Sequence, residues 1–406
     1  MTAATLTLPP DSAPLRQDAT IIGLVGLAHC LSHFCHMLLA PLFPVFMKEF
    51  GFSYAQLGSL VSIFFIISGV GQALSGFVVD KLGARPVLFS AMLCFVLAAL
   101  AASQANSYSG LAMAAVFAGL GNSPFHPVDF TILNQRVSGQ RLGYAFSVHG
   151  LSGNLGWAIA PIFLVGLSAV LGSWRTAYLL AAALIAVVTL VLWLNRELLS
   201  TTVVKKHEQE GADHTLAFLK LPVVWWCFGF FFCSTMTLAV VQSFGVSILQ
   251  AVHHVSFEIA TGAVAAYMLA SALGMFAGGF VAARFASSDR VVAICMSAGA
   301  ALLLLCSTGW LGAWGTMAVL ASTGFAIGIG GPSRDMMIKK ATPKGATGRV
   351  YGAVYSGLDV GFALSPLLFG LFMDRGMYAA TLAGAAVVLL GAVYMARTVG
   401  SRTLAR

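Results

Sequence analysis

The chain has little charge for its size. Only 9% of its 406 residues are Asp, Glu, Lys or Arg, whereas 59% are hydrophobic and the mean hydropathy is +0.89. A soluble domain carries about 25% charged residues, so too few charges are present to cover a water-soluble surface. Abundant apolar and aromatic residues also exclude a disordered chain. The composition excludes a soluble enzyme and indicates a protein that crosses a membrane several times; we expect no enzymatic activity.

Signals of other protein classes are also missing. The seven cysteines lie in apolar stretches without a CxxC spacing, so they predict neither a disulfide framework nor a metal site. The basic residues are scattered singly, which excludes a nucleic-acid-binding patch. No Walker sequence for nucleotide binding occurs, and residues 1–18 carry no secretory signal. We therefore expect no cofactor, no resident metal and no nucleic-acid partner.

Apolar runs of about 20 residues, the length that crosses a bilayer as a helix, recur along the chain. They predict an all-α polytopic membrane protein with twelve transmembrane helices. The predicted spans are 20–47, 54–79, 86–104, 110–135, 142–171, 174–194, 221–250, 256–283, 290–308, 311–338, 349–373 and 377–396.

Lys and Arg are concentrated in alternate connections between these spans. Of the 22, only Lys48, Arg175 and Arg375 fall on the opposite side, and Arg334 lies inside a span. Connections rich in Lys and Arg stay in the cytoplasm, so both termini are predicted to be cytoplasmic, in a bacterial inner (plasma) membrane. The predicted domains are a tail (1–19), a six-helix bundle (20–194), a linker (195–220), a second six-helix bundle (221–397) and a tail (398–406).

The two halves share a sequence pattern. GLG at 119–121 is matched by GIG at 328–330, and GWAIAP at 156–161 by GFALSP at 361–366. A two-fold internal repeat in a twelve-span protein is typical of a transporter whose site lies between the halves. We predict that the helices pack through Gly153, Gly156, Pro161, Gly361 and Pro366.

The segment 76–86, between predicted helices two and three, resembles the signature loop of the major facilitator superfamily. It has a glycine, an aspartate four residues later, a second glycine and a basic residue, here Gly76, Asp80, Gly83 and Arg85. The resemblance implies the major facilitator fold, two six-helix bundles, and a role for this loop as a conformational switch. Gly76 is expected to allow close helix packing.

A narrower resemblance lies in predicted helices four and five. The runs GLGNSPFHP at 119–127, FSVHG at 146–150 and GNLG at 153–156, together with His29, look like the fosmidomycin-resistance-type branch of that superfamily. This resemblance implies a proton-driven antiporter that exports small polar or amphipathic compounds. We expect a small-molecule substrate, protons as coupling ion, a lipid bilayer around the protein and a monomeric state.

Ionisable residues inside predicted spans are candidate site residues, because each costs about 2.5–3.5 kcal/mol on insertion and persists mainly beside a cavity or a partner. His29, His33 and His36 have the spacing i, i+4, i+7 and share one face of helix one. They predict a proton relay or a substrate-facing stripe, since histidine titrates near neutral pH. The alternative is a set of hydrogen-bonded packing histidines.

Two acidic groups are candidates for carrying the proton. Asp129, expected closer to the cytoplasmic end, lies three residues after His126 and is predicted to share a proton with it; the alternative is a structural pair. Asp359 lies about 15 Å into helix eleven, near the bilayer midplane, and is the leading acid candidate; the alternative is a salt bridge. By the repeat, His149 lies nearly opposite Asp359 and is predicted to pair with it.

Polar residues of the second half complete the predicted site. Arg334 inside a span needs an anion, which could be the neighbouring Asp335, Asp359 or a substrate carboxylate or phosphonate. The alternative is a gate-forming ion pair between Arg334 and Asp335. Neutral candidates that line the cavity, or instead bond back to helix carbonyls, are Ser234, Thr235 and Gln242.

The leading function is secondary transport of a small organic solute by alternating access, proton-coupled and more in keeping with export of a drug or metabolite than with import. Uptake of a small organic anion is the alternative, since Arg334 and the histidines predict a positive cavity. A second alternative is transport of a transition metal or its chelate, because imidazole ligands suit such ions. It draws on the helix-one histidines with Met37 and the pair His253-His254.

Overall fold

The computed structural model describes residues 14–202, 221–341 and 347–404. These residues are almost entirely helical, with no β-strand among them. The helices are α1 (Leu15–His36), α2 (Phe43–Phe50), α3 (Tyr54–Leu82), α4 (Ala84–Gln104), α5 (Tyr108–Asn122), α6 (Phe125–Arg136), α7 (Leu142–Leu171), α8 (Trp174–Leu194), α9 (Pro222–His253), α10 (Phe257–Arg284), α11 (Ser288–Ser307), α12 (Ala313–Ala341), α13 (Thr347–Asp374) and α14 (Tyr378–Leu404).

The predicted all-α membrane fold is confirmed. Within the described ranges, eleven helical stretches are long and apolar enough to cross a membrane. The remaining predicted span, 110–135, is the fourth along the chain and is present as the two shorter helices α5 and α6, which meet at Ser123 and Pro124. Proline has no N–H to donate and its ring clashes with the preceding turn. The break therefore occurs where the sequence loses helical hydrogen bonding.

The first predicted span is also interrupted. The range 20–47 was predicted as one helix, but α1 ends at His36, and a 3-10 turn at Ala40–Leu42 leads into α2. Pro41 lies at the start of that turn and Pro44 at the start of α2, and both positions tolerate a residue without an N–H. The histidines at 29, 33 and 36 therefore occupy the last two turns of α1 rather than its centre.

The last helix, α14, continues through most of the predicted tail 398–406 and ends at Leu404. Val399 and Gly400 are buried. Arg397 forms an ion pair of 2.5 Å with Asp289 on α11, which ties the end of α14 to the start of α11. Most of the predicted tail 1–19 and linker 195–220 lies outside the described residues.

Helices α1 to α8 pack mainly on one another, as α9 to α14 do, and the principal contacts between the two groups join α3 to α13 and α7 to α10. The α3–α13 contact is very close. A methyl group at Gly58 would overlap the carbonyl oxygen of Pro366, and the rings of Phe65 and Phe362 stack with centroids 4.3 Å apart. Helix α3 therefore connects the interior of the first half to the second half.

A carboxylate of the second half caps the start of α3. Asp374 accepts hydrogen bonds from the backbone N–H groups of Tyr54 (2.6 Å) and Ala55 (3.0 Å), which add to the local capping box of Ser53 and Gln56. The first N–H groups of a helix have no partner inside the helix, so this contact satisfies two of them from across the interface.

We expect Asp374→Ala to lower the free energy of unfolding by about 1 kcal/mol, the usual cost of losing a helix cap. The measurement is thermal unfolding of the purified protein in detergent. Glu197→Ala is the matched control, since the Glu197 side chain is 77% exposed and exposed ion pairs contribute little. Equal unfolding midpoints for the two variants would contradict the capping role.

Candidate functional site

The three histidines of α1 lie together on one face, as their spacing predicts. The ring centroids of His29 and His33 are 4.4 Å apart, and those of His33 and His36 are 4.6 Å apart. The stripe faces α7, where Gly153 makes room for it: a methyl group there would lie 2.7 Å from Cε1 of His33. The close approach of α1 and α7 therefore depends on a residue without a side chain.

Asp129 on α6 lies between two of the histidines. Its Oδ2 atom is 3.0 Å from Nε2 of His149, with which it forms a hydrogen bond, and 3.1 Å from Nδ1 of His29. The side chains of Asp129 and His29 are 1% and 3% exposed. The rings of His29 and His149 stack with centroids 3.5 Å apart. One buried carboxylate thus faces an imidazole from α1 and another from α7.

Two predicted pairings are wrong. Asp129 was expected to pair with His126, but Nδ1 of His126 hydrogen-bonds Oε1 of Gln72 at 2.9 Å. His149 was expected to face Asp359 across the halves, but its Nε2 bonds Asp129 of its own half. Both expectations failed for the same reason. Sequence spacing and the repeat locate a residue along a helix, but the rotation of neighbouring helices decides which side chains meet.

His126 still belongs to the same group of rings, with centroids 5.6 Å from His29 and 6.1 Å from His149. We call the whole assembly the histidine cluster. Its members are His29, His33, His36, His126, His149 and Asp129.

The histidine cluster contains buried polar atoms without a hydrogen bond. They are Nδ1 of His29, Nδ1 of His33 and Oδ1 of Asp129. His29 is within ion-pair distance of Asp129, but its N–H direction does not meet the carboxylate as a hydrogen bond requires. A buried unpaired polar atom costs about 1–3 kcal/mol. Three in one place indicate a site with spare capacity to bind a proton or a ligand.

The cluster suits protons better than a metal ion. His29, Asp129 and His149 each offer one ligand atom, and these atoms lie within 4.8 Å of one another. A metal held by two imidazoles lies about 2.0–2.1 Å from each nitrogen, along its lone pair. The rings of His29 and His149 are stacked with planes 23° apart, so their lone pairs run in nearly parallel planes and do not converge on one point.

Asp359 lies apart from the cluster, partly buried on α13. Its Cβ is 3.2 Å from the position that a side chain of Gly69 on α3 would occupy. Among the described residues it makes no hydrogen bond or ion pair. It therefore remains a second acidic candidate, at the interface between the halves.

Arg334 is paired within its own helix. Its Nε donates to Oδ1 of Asp335 at 2.9 Å, and its guanidinium lies 5.3 Å from the ring centre of Phe231 on α9. Of the two carboxylates of the chain expected for Arg334, the neighbouring Asp335 rather than Asp359 is its partner.

The neutral candidates on α9 bond mainly to their own helix. The hydroxyls of Ser234 and Thr235 donate to the carbonyl oxygen of Phe231 at 3.0 and 2.7 Å, the back-bonding alternative. Gln242 is buried and its amide approaches the sulfur of Met268 at 3.9 Å. Thr235 also packs against Gly361, where a methyl group would overlap its hydroxyl.

The predicted switch loop is a tight connection between α3 and α4. Gly83 has φ +81°, a conformation that favours glycine, and Arg85 forms an ion pair of 3.1 Å with Glu197. The side chain of Asp80 is outside those described. A methyl group at Gly76 would meet none of the described atoms within 4 Å, so the close helix packing expected there is not made in this structure.

Sequence reasoning missed the polar residues that hold the cluster. Asn122 hydrogen-bonds His36 at 2.9 Å and Ser68 at 2.8 Å, Gln72 bonds His126, and the indole of Trp157 donates to His36 at 3.3 Å. A signal was present: Ser68 and Gln72 are polar residues four apart in an apolar span, which places them on one helix face.

These features define a polytopic membrane transporter with buried titratable groups in its first half. Residues 25–263 and 231–403 match the Major Facilitator Superfamily. The chain belongs to this superfamily, which confirms the resemblance seen in the signature loop.

The chain is similar to the fosmidomycin resistance protein of Escherichia coli, with 30% identity over 176 residues. That match covers only 43% of either protein, less than half of the relative's length. It is also similar to a probable nitrate/nitrite transporter, NarK2, of Mycobacterium tuberculosis, with 24% identity over 89% of this chain and 90% of the relative.

Solved structures share the fold at low sequence identity. A bacterial homologue of the human lysosomal transporter Spinster, in an inward-facing and occupied conformation, has a TM-score of 0.70 at 16% identity and covers 97% of both chains. The nucleoside transporter NupG has a TM-score of 0.72 at 16% identity and covers 95% of this chain and 99% of its own.

Proposed function

We propose that this protein is a proton-coupled secondary transporter that exports a small organic solute by alternating access. The observation that carries the proposal is the buried carboxylate of Asp129 between His29 and His149, with polar atoms left unpaired beside it. A proton shared among these groups changes the charge of a site that is almost closed to solvent, and such a change has a large effect where the dielectric is low.

A series of contacts links the histidine cluster to the second half. His36 is joined through Asn122 to Ser68 on α3, and the next residue, Gly69, packs against Asp359 on α13. Helix α3 therefore contacts both groups of titratable residues. We propose that protonation of the cluster and of Asp359 biases the contact between α3 and α13, which opens the site to one side or the other.

Export is supported by the similarity to the fosmidomycin resistance protein, which extends over 43% of the chain. Uptake of a small organic anion remains the second candidate. It is supported by the similarity to a probable nitrate/nitrite transporter along most of the chain and by the excess of imidazole groups in the cluster.

Transport of a transition metal is not favoured. The stacking of His29 on His149 does not converge on one ion. The two ring nitrogens of His253 lie 3.0 and 2.7 Å from the carbonyl oxygens of Leu311 and Cys306, which leaves neither free for a metal.

The charge bias of the connections supports cytoplasmic termini in a bacterial inner membrane. In that orientation the capped start of α3 faces the outside. A tag at Leu404 that reacts with a membrane-impermeant reagent in intact cells would contradict this orientation.

Proton coupling is tested in two steps. Thermal-shift screening of the purified protein at two pH values against drugs and anions, fosmidomycin and nitrate among them, identifies a ligand by its stabilisation. Proteoliposomes with an imposed pH gradient then measure its flux. We expect the gradient to drive the solute uphill and the solute to release or take up protons. Flux that is indifferent to the gradient refutes the coupling.

A further inference from the structure

A chain of hydrogen bonds crosses four helices at the end of the histidine stripe. The indole N–H of Trp157 on α7 donates to Nδ1 of His36 at 3.3 Å. Nε2 of His36 lies 2.9 Å from Oδ1 of Asn122 on α5, and Nδ2 of Asn122 donates to the hydroxyl of Ser68 on α3 at 2.8 Å. The donor or acceptor role of each atom in this hydrogen-bonded series determines the role of the atom that it contacts.

These hydrogen bonds specify one protonation state of His36. An indole nitrogen can only donate, so Nδ1 of His36 must carry a lone pair. The ring then has its single hydrogen on Nε2, which needs an acceptor, and the oxygen of Asn122 supplies it. With its oxygen towards His36, Asn122 presents its NH₂ group to Ser68, which accepts. The assignment is consistent from Trp157 to Ser68.

A second proton on His36 would disrupt this arrangement. It would bind Nδ1 and face the indole N–H of Trp157 donor to donor, so one ring would have to move. No carboxylate among the described residues forms an ion pair with His36 to compensate. The groups that face His36 are His33 on α1, Phe64 and Phe65 on α3, Asn122 on α5 and Trp157 on α7.

His33 has the opposite surroundings. Its Nδ1 is buried without a hydrogen bond, and its ring lies 4.4 Å from the ring of Trp157. The face of an indole attracts a cation. His33 also lies 4.4 Å from His29, whose Nδ1 is 3.1 Å from Asp129. Trp157 therefore disfavours a proton on Nδ1 of His36, whereas its aromatic ring lies beside His33 and favours a positive charge there.

We infer that Trp157 and Asn122 are positioning residues that hold His36 as the neutral Nε2–H tautomer, so that the coupling proton is exchanged by His33 and His29 with Asp129. This inference rests on the proposed proton coupling. The third histidine of the stripe then carries no proton and instead joins α1 to α5 and α3.

The test is nitrogen NMR of the full-length protein labelled with ¹⁵N-histidine, with the His36 signals assigned by their loss in His36→Gln. In the native protein, His36 is expected to keep one protonated and one unprotonated nitrogen from about pH 8 to about pH 5, the range in which free histidine gains its charge. In Trp157→Phe, which keeps an aromatic ring and removes the N–H, His36 is expected to gain a second proton in that range.

Trp314→Phe is the matched control, because Trp314 is 80% exposed and its loss is expected to leave the His36 signals unchanged. The inference is overturned if native His36 carries its hydrogen on Nδ1 or becomes doubly protonated in this range. That result needs only the His36→Gln variant used for the assignment and does not depend on Trp157→Phe. The pH profile of transport is expected to move in Trp157→Phe and not in Trp314→Phe.

The two proposals fail separately. If the His36 signals behave as expected but transport ignores a pH gradient, the proposed coupling is wrong and the tautomer assignment stands. If transport follows the gradient but native His36 titrates freely, the coupling stands and the positioning role is wrong.

Discussion

Replacing Asp129 with Asn is expected to reduce transport driven by a pH gradient strongly while leaving exchange of the solute at equal pH. Asn has the shape of Asp but cannot ionise, so Oδ2 no longer offers a proton acceptor to His149 and His29, which lie 3.0 and 3.1 Å away. A hydrogen bond to a charged group is worth about 1.5–3 kcal/mol. We therefore expect uphill flux to fall on the order of 100-fold.

The comparison of driven flux with exchange separates coupling from folding, since a misfolded protein loses both. Asp289→Asn is the control variant. It removes the carboxylate of an ion pair whose Arg397 partner is half exposed, on a helix of the second half that contributes no residue to the cluster, and it is expected to keep driven flux near the native rate. Normal uphill transport by the Asp129 variant would rule out this carboxylate as the coupling group and direct attention to Asp359.

The second large effect is expected at Gly156, where α1 and α7 touch backbone to backbone. A methyl group there would overlap the carbonyl oxygen of Cys30 and lie 2.9 Å from the backbone nitrogen of Phe34. Backbone atoms cannot rotate away, so the helices must separate. We expect Gly156→Ala to lower the free energy of unfolding by about 1–3 kcal/mol, the usual cost of overpacking, and to reduce transport by moving His33 away from Trp157.

The matched control is Gly166→Ala on the same helix, where a methyl group meets nothing within 4 Å. Alanine is the better helix former by up to about 1 kcal/mol, so this variant is expected to be as stable as the native protein or slightly more so. Thermal unfolding in detergent and driven flux are measured for both. The close-packing argument fails if the two variants unfold at the same temperature.

Much of the fold could be predicted from the sequence because it depends on the local pattern of residues along the chain. The length of apolar runs gives the spans, and the i, i+4, i+7 spacing alone places His29, His33 and His36 on one face. Proline gives the exceptions: Pro41 and Pro124 mark the two places where a predicted span is broken. The predicted spans ran through both prolines because the apolar composition continues on either side of each.

The site depends on quantities that the sequence does not contain. Asp129 meets His149 of α7, whereas His126 on its own helix is bonded to Gln72 of α3, and neither partner can be read from spacing along α6. The repeat relates His149 to Asp359 in position, yet each finds its neighbours on a different helix. Asn122 was overlooked because a single amide in an apolar run carries no periodic signal of its own. The spacing of Ser68 and Gln72 indicates a polar face on α3 but does not say which side chains that face meets.

The cap of Asp374 on α3 stabilises the contact between the two halves, yet breaking it costs little free energy. While the halves touch, the carboxylate satisfies Tyr54 and Ala55; if they separate, water reaches the same N–H groups and the freed carboxylate, and hydration replaces most of what is lost. Ser53 and Gln56 keep the helix from fraying in the meantime. The contact between Asp374 and the start of α3 can therefore break and re-form in each transport cycle without unwinding α3.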